Sequence, residues 1–132
     1  MKAGKWQEAD QETTKLMVKV AVDSRGVQNF PCEILSKVDR LWVDSSGGKF
    51  GFSVQKKIYV ESCGGKPERQ DYAKVEKDWN CFADRVGWSA KGSNRIVDYS
   101  NGTFSQAPLG QLPSLATKQW NLWWYVLWGC DL

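Results

Sequence analysis

At 132 residues, with 42% apolar and 25% charged residues, the chain has the composition of an ordinary folded domain. That composition does not favour disorder, and the length allows roughly two-thirds of the unfolded surface to be buried. Net charge is +3, from 18 basic and 15 acidic residues spread along the chain, so no basic block marks a nucleic-acid partner.

Trp6, Ala9, Thr13, Leu16, Met17 and Val20 recur at intervals of three and four, predicting an amphipathic helix that Ser24, Arg25 and Gly26 end. Pro31 followed by Glu33 suits the first turn of a second helix, lined by Ile34, Val38, Leu41 and Trp42. Asp44 to Gly48 is loop chemistry, since short polar side chains compete for backbone bonds and glycine permits positive φ. Phe50, Phe52 and Val54 then alternate as in a strand, while Phe50, Val54 and Ile58 recur at helical spacing; periodicity leaves both open. Cys63 to Gln70 reads as a second loop. Val75, Trp79, Phe82 and Val86 predict a third amphipathic helix, which Gly87 can end in the left-handed conformation.

Residues 89–112 show no period and hold Gly92, Gly102, Pro108 and Gly110. Their apolar content, Ile96, Val97, Tyr99, Phe104, Leu109 and Leu112, argues against disorder, and such long excursions usually carry function. A lid that orders on binding is the expectation. After Pro113, Ser114 is expected to cap a final helix that is apolar on every side from Leu122 to Trp128, a run far short of the about 20 residues that span a bilayer. No repeat or linker divides the chain, so residues 1–132 read as one domain, and no charged-then-apolar leader points to secretion.

The inventory argues against catalysis. The chain has no histidine, the commonest general base, and no serine sits in a nucleophile elbow or a Ser-x-x-Lys setting. Gly47 and Gly48 lack the Gly-Lys-Ser/Thr of a phosphate loop. Glu8 and Asp10 point apart on a helix and read as a terminal charge and a solvated side chain. Cys32, Cys63, Cys81 and Cys130 form no C-x-x-C pair, so reduced structural thiols are expected and no metal site or catalytic residue is assigned. The eight tryptophans require a core, an interface or a flat ligand, with core packing expected to account for about half. Trp42, Phe50 and Trp79 lie on helical stripes and read as core, whereas Phe52 and Trp88 border glycines and loops and read equally as site or core.

Five motifs stand in register along most of the chain. Trp6, Glu8, Ala9, Asp10 and Thr13 match W-x-E-A-D-x-x-T; Asp39, Leu41 and Trp42 match D-x-L-W; Phe50 to Gln55 match F-G-F-S-x-Q; Val86, Gly87 and Trp88 match V-G-W. Ala107 to Pro113 is similar to A-P-x-G-H-L-P, with Gln111 in place of the usual histidine and Leu109 in a slot where a basic residue is common. Together they resemble the genomes-uncoupled regulatory proteins of chlorophyll synthesis.

The resemblance implies a helix at 50–58 and an all-α fold, a compact helical bundle shaped like a cupped hand, whose palm is made by loops 43–52 and 89–112. It implies a protein that is not an enzyme, needs no catalytic cofactor, binds protoporphyrin IX or magnesium protoporphyrin IX, and stimulates magnesium chelatase through that enzyme's large porphyrin-binding subunit. A cyanobacterial cytoplasm or plastid stroma goes with it, without a transmembrane segment and with peripheral membrane association as an option. For the macrocycle, Val43, Phe52, Trp88, Phe104, Leu109 and Leu112 are the candidates; for the propionates, Lys49, Asn94 and above all Arg95, whose planar fork matches a carboxylate and which has no structural partner evident in the sequence. Burying roughly 300 Å² of macrocycle would contribute on the order of 7 kcal/mol before ordering costs. The alternative is a divergent paralogue that binds an open-chain bilin, or a protein-interaction module using Trp120 to Trp128 as its partner patch.

Overall fold

The computed structural model describes residues 5–67, 72–91, 94–97, 107–130 and 132, and over these the apolar stripes fold as helices around a shared aromatic core. Helix α1 (Trp6–Asp23) buries Thr13, Met17 and Ala21, and α2 (Cys32–Ser45), entered through Pro31, buries Leu35, Val38 and Trp42. The ambiguous segment is helical: α3 (Phe52–Lys57) runs into a π-helical turn, Ile58–Ser62. Strand alternation is broken at Gly51, whose φ of 139° forms the entry to α3, so Phe50 and Phe52 flank a helix start and both turn inward. Helix α4 (Tyr72–Arg85) ends as predicted. Gly87 has φ 79°, the Trp88 N–H bonds the Ala83 carbonyl at 3.0 Å, and the Gly87 N–H bonds that of Asp84 at 3.2 Å, the paired bonds of a Schellman cap.

The excursion is not wholly irregular. Strands β1 (Ser89–Lys91) and β2 (Asn94–Ile96) pair antiparallel, with Ala90 opposite Arg95; three residues per strand are too few to register as a period. The chain closes with α5 (Leu115–Lys118) and α6 (Trp120–Gly129). Ser114 does not cap α5 with its side chain. Its N–H and hydroxyl instead donate to the two carboxylate oxygens of Asp10, each at 2.6 Å. Asp10 is therefore not the solvated side chain expected: it is fully buried, and it ties α1 to the start of α5.

All eight tryptophans are in ring contact; Trp42, Trp88, Trp123 and Trp124, the half expected in the core, are buried, and Trp6, Trp79, Trp120 and Trp128 are half-buried against it. Trp6 stacks on Trp42 at 6.0 Å with Phe50 edge-on to both. A second, larger cluster centres on Phe82 and Trp123, 5.0 Å apart, and takes in Tyr59, Trp79 and Trp88, with Trp120, Trp124 and Trp128 along α6. Leu122, Trp123, Trp124, Val126 and Leu127 are buried, so most of the apolar tail is spent on the core, leaving Trp120 and Trp128 half-buried and Tyr125 exposed.

The cysteines also depart from expectation. Cys32 bonds Cys130 (S–S 2.03 Å) and Cys63 bonds Cys81 (2.10 Å), fastening the start of α2 to the end of α6 and the π-turn to α4. Separations of 98 and 18 residues carry no local signal; tertiary packing alone brings these pairs together. The longer loop should matter more for stability. Replacing Cys32 and Cys130 together by alanine is expected to cost about 4–5 kcal/mol, and the Cys63, Cys81 pair about 3 kcal/mol, measured by urea denaturation of the oxidised protein. Equal losses would contradict a loop-entropy origin.

Candidate functional site

The frame of the site is built from motif residues. Asp39 in α2 accepts the Ser53 N–H at 2.8 Å, capping α3 from a neighbouring helix. That approach requires glycine at 51, because a Cβ there would lie 2.8 Å from both Asp39 Oδ1 and Val43 Cγ2. Trp42 Nε1 donates to Thr13 Oγ1 at 3.0 Å, and Thr13 in turn donates to the Ala9 carbonyl at 2.8 Å, so the first two motifs interlock.

Gln55, fully buried, makes the central connection. Its Nε2 donates to the carbonyls of Gly110 (2.9 Å) and Pro113 (2.6 Å), while Oε1 accepts from the indole of Trp123 at 2.9 Å. Around it the two loops are clasped. Gly110 N–H bonds Lys49 O at 2.9 Å, Gly51 N–H bonds Leu112 O at 3.0 Å, and Trp88 Nε1 donates to Gln111 O at 2.8 Å.

The clasp sorts the residues nominated from the sequence. Phe52, Trp88 and Leu112 are core side chains, each at most 2% exposed, and present no face to a ligand. The packing reading holds for Phe52 and Trp88, because the left-handed turn at Gly87 and the entry at Gly51 direct both rings inward. Val43 and Lys49, half-buried, and Leu109, 58% exposed, meet where the two loops join. Phe104 lies outside the described residues. Asn94 opens β2. Arg95, expected to lack a structural partner, has three: Nη1 donates to Asp84 Oδ1 at 2.7 Å and to the Trp88 carbonyl at 3.1 Å, and Nη2 to Asn80 Oδ1 at 3.2 Å. The guanidinium pins β2 to the end of α4.

Arg95 nonetheless lines an open cleft of about 520 Å³ between α1, β2 and α5. Gln11, Thr14 and Lys15 of α1 and Ser114, Thr117 and Lys118 at α5 give it polar walls, and Ile96 and Val97 apolar lining. This volume is within the usual range of small-molecule sites. Sequence reasoning missed both polar walls, because positions 11, 14 and 15 lie off the apolar stripe of α1 and read as a solvated face. The only signal was the spacing itself, i, i+3 and i+4, which gathers them on one side. Among the described residues no group of acidic or cysteine side chains could hold a metal ion, and no helix is long and apolar enough to cross a membrane.

Residues 1–128 match the family described as GUN4-like. The chain belongs to the GUN4-like family. Among curated relatives it is 29% identical over 126 residues to the "Tetrapyrrole-binding protein, chloroplastic" of Arabidopsis thaliana, an alignment covering 82% of this chain and 43% of that protein. It is 31% identical over 117 residues to "Uncharacterized protein ycf53" of Porphyra purpurea, covering 80% and 42%. The chain thus spans less than half the length of these relatives. The ligand-free structure of Arabidopsis thaliana GUN4 superimposes with a TM-score of 0.66 at 27% identity, covering 94% of this chain and 83% of that one. The all-α bundle read from the motifs is the fold of this family.

Two outcomes test the frame. Gln55→Leu keeps the volume but strands two carbonyls and an indole N–H, and should cost about 3 kcal/mol in urea denaturation, with faster hydrogen exchange at Gly51 and Gly110. Phe52→Ala and Trp88→Ala should each cost about 3–5 kcal/mol in stability. Losses under 1 kcal/mol would place those rings outside the core, roughly the scale of a surface change.

Proposed function

We propose that this chain is a non-catalytic tetrapyrrole-binding protein whose ligand is protoporphyrin IX or its magnesium complex. The cleft carries the reading. Its 520 Å³ joins an apolar side at Ile96 and Val97 to walls bearing Lys15 and Lys118, the combination needed for a flat apolar body with carboxylates at its edge. The tetrapyrrole-binding name of the Arabidopsis relative supplies the ligand class. A chain without histidine would hold a porphyrin by shape, apolar contact and charge, without an imidazole ligand on the metal.

We further propose that this chain stimulates magnesium chelatase by presenting porphyrin to its large subunit, in a plastid stroma or a cyanobacterial cytoplasm. The chloroplastic relative supports the compartment. The junction of half-buried Val43 and Lys49 with exposed Leu109 is our candidate edge for contact with that subunit. Residues 1–132 act as one domain in this reading.

The test is a titration with protoporphyrin IX, following the Soret band and the fluorescence of the eight tryptophans. A red-shifted Soret band and saturable quenching in the micromolar range or below are expected. An unchanged spectrum with unquenched fluorescence would overturn the reading.

A further inference from the structure

Resting on the compartment in that reading, we infer that the bond between Cys32 and Cys130 is a reducible latch: a dithiol opens it, and its opening loosens the loop clasp around Gly110 and with it the hold on the ligand. A reducing intracellular compartment leaves few disulfides closed, and those found there are commonly redox-sensing. The fold holds two such bonds, and they differ in access and in what they fasten.

Cys32 is an exposed residue in the first turn of α2, whereas Cys130, just after α6, is only 5% exposed. An attacking thiolate therefore meets Cys32 Sγ. The S–S bond breaks, and its electron pair leaves on Cys130 Sγ, which takes up a proton. The second thiol of the reductant then attacks the mixed disulfide and expels Cys32 as a thiolate, which is protonated in turn. That leaving group stands at the N-terminus of a 14-residue helix, where unpaired N–H groups stabilise a negative sulfur. Two electrons and two protons pass to the chain, and the dithiol becomes a disulfide.

The other bond is set differently. Cys63 and Cys81 are both half-buried, and the turn carrying Cys63 is held without the bridge. The Gly65 N–H bonds the Tyr59 carbonyl at 2.8 Å, and Gly65 lies so close to the Tyr59 ring that no side chain would fit. Sulfurs kept in place by their surroundings re-form their bond as fast as it is opened.

Opening at Cys32 removes the covalent tie between α2 and the end of α6. A ten-residue helix is too short to hold itself in water, so α6 depends on its packing and on its fixed end. Trp123 on that helix donates to Gln55 Oε1, and Gln55 Nε2 holds the carbonyls of Gly110 and Pro113. Fraying of α6 thus reaches the clasp through one amide. The N–H groups of Gly51 and Gly110, bonded to Leu112 and Lys49, report on it.

The experiment equilibrates the oxidised full chain with graded dithiothreitol. Free thiols are alkylated and assigned by peptide mass, and circular dichroism, amide exchange and a protoporphyrin IX titration are read on the same samples. Cys32 and Cys130 should be labelled at concentrations that leave Cys63 and Cys81 closed, with exchange at Gly51 and Gly110 and the porphyrin's dissociation constant each raised about ten-fold. Cys63→Ser with Cys81→Ser should keep this response, whereas Cys32→Ser with Cys130→Ser should exchange fast from the outset and ignore the reductant. The first variant carries the test even where the second does not fold. The latch is overturned if Cys63 and Cys81 open first, if all four thiols appear together with loss of helicity, or if Cys32 and Cys130 open while Gly110 exchange or porphyrin affinity stays unchanged. Should the oxidised chain bind no porphyrin, the tetrapyrrole reading fails, and labelling and exchange alone decide the latch.

Discussion

The amide of Gln55 is the constraint on which the rest depends. It is buried among rings, where an unpaired amide would cost several kcal/mol, so its partners must be in place for the core to close. Those partners come from two distant parts of the chain, the loop at Gly110 and Pro113 and the indole of Trp123 in α6. One side chain thus couples the aromatic core to the loop that joins the β-hairpin region to α5. The chain cannot bury its tryptophans without also setting the position of that loop, which makes site geometry a by-product of core formation.

Read this way, the motifs are latches. Thr13 and Trp42 fasten α1 to α2; Asp39 and Gly51 fix the entry to α3; Gln55 and Trp88 hold the 107–113 segment from below; Asp10 holds α5. Each is a polar atom with a single partner or pair of partners, mostly far away in sequence. Such a contact tolerates little substitution, because removing one partner strands the other in a dry interior. Cleft-lining side chains such as Gln11, Thr14 and Lys118 are under no such geometric demand. This explains why recognisable motif residues and cleft-lining residues overlap so little, Asp10 being a bridge between the two sets.

Helices α1, α2 and α4 were legible in the sequence because their apolar residues recur at helical spacing over two turns or more. The six-residue α3 was not, and the single final helix expected is two, α5 and α6; the family fold was legible because five motifs stood in order. Side-chain destinations were not. Phe52 and Trp88 could be placed in site or core until the backbone turns at Gly51 and Gly87 were known, since a glycine with positive φ reverses the direction of its neighbour. Arg95 looked unpartnered because Asp84 and Asn80 lie 11 and 15 positions away, on a helix whose end only tertiary structure brings to β2. The disulfides were hidden for the same reason, compounded by a compartment rule that describes where such bonds persist and not which thiols meet.

The division of labour between arginine and lysine follows from these contacts. A guanidinium that bonds a carboxylate, a backbone carbonyl and an amide at once is a structural joint, and its planar fork is suited to that fixed geometry. Lys15, by contrast, is 77% exposed and holds only a 3.6 Å pair with Glu12, the ordinary state of a solvated surface ammonium. The clasp that removes Phe52, Trp88 and Leu112 from the surface and the joint at Arg95 both converge on Trp88, whose indole N–H bonds Gln111 and whose carbonyl accepts from Arg95, so the end of α4, β2 and the 107–113 segment are tied to one another.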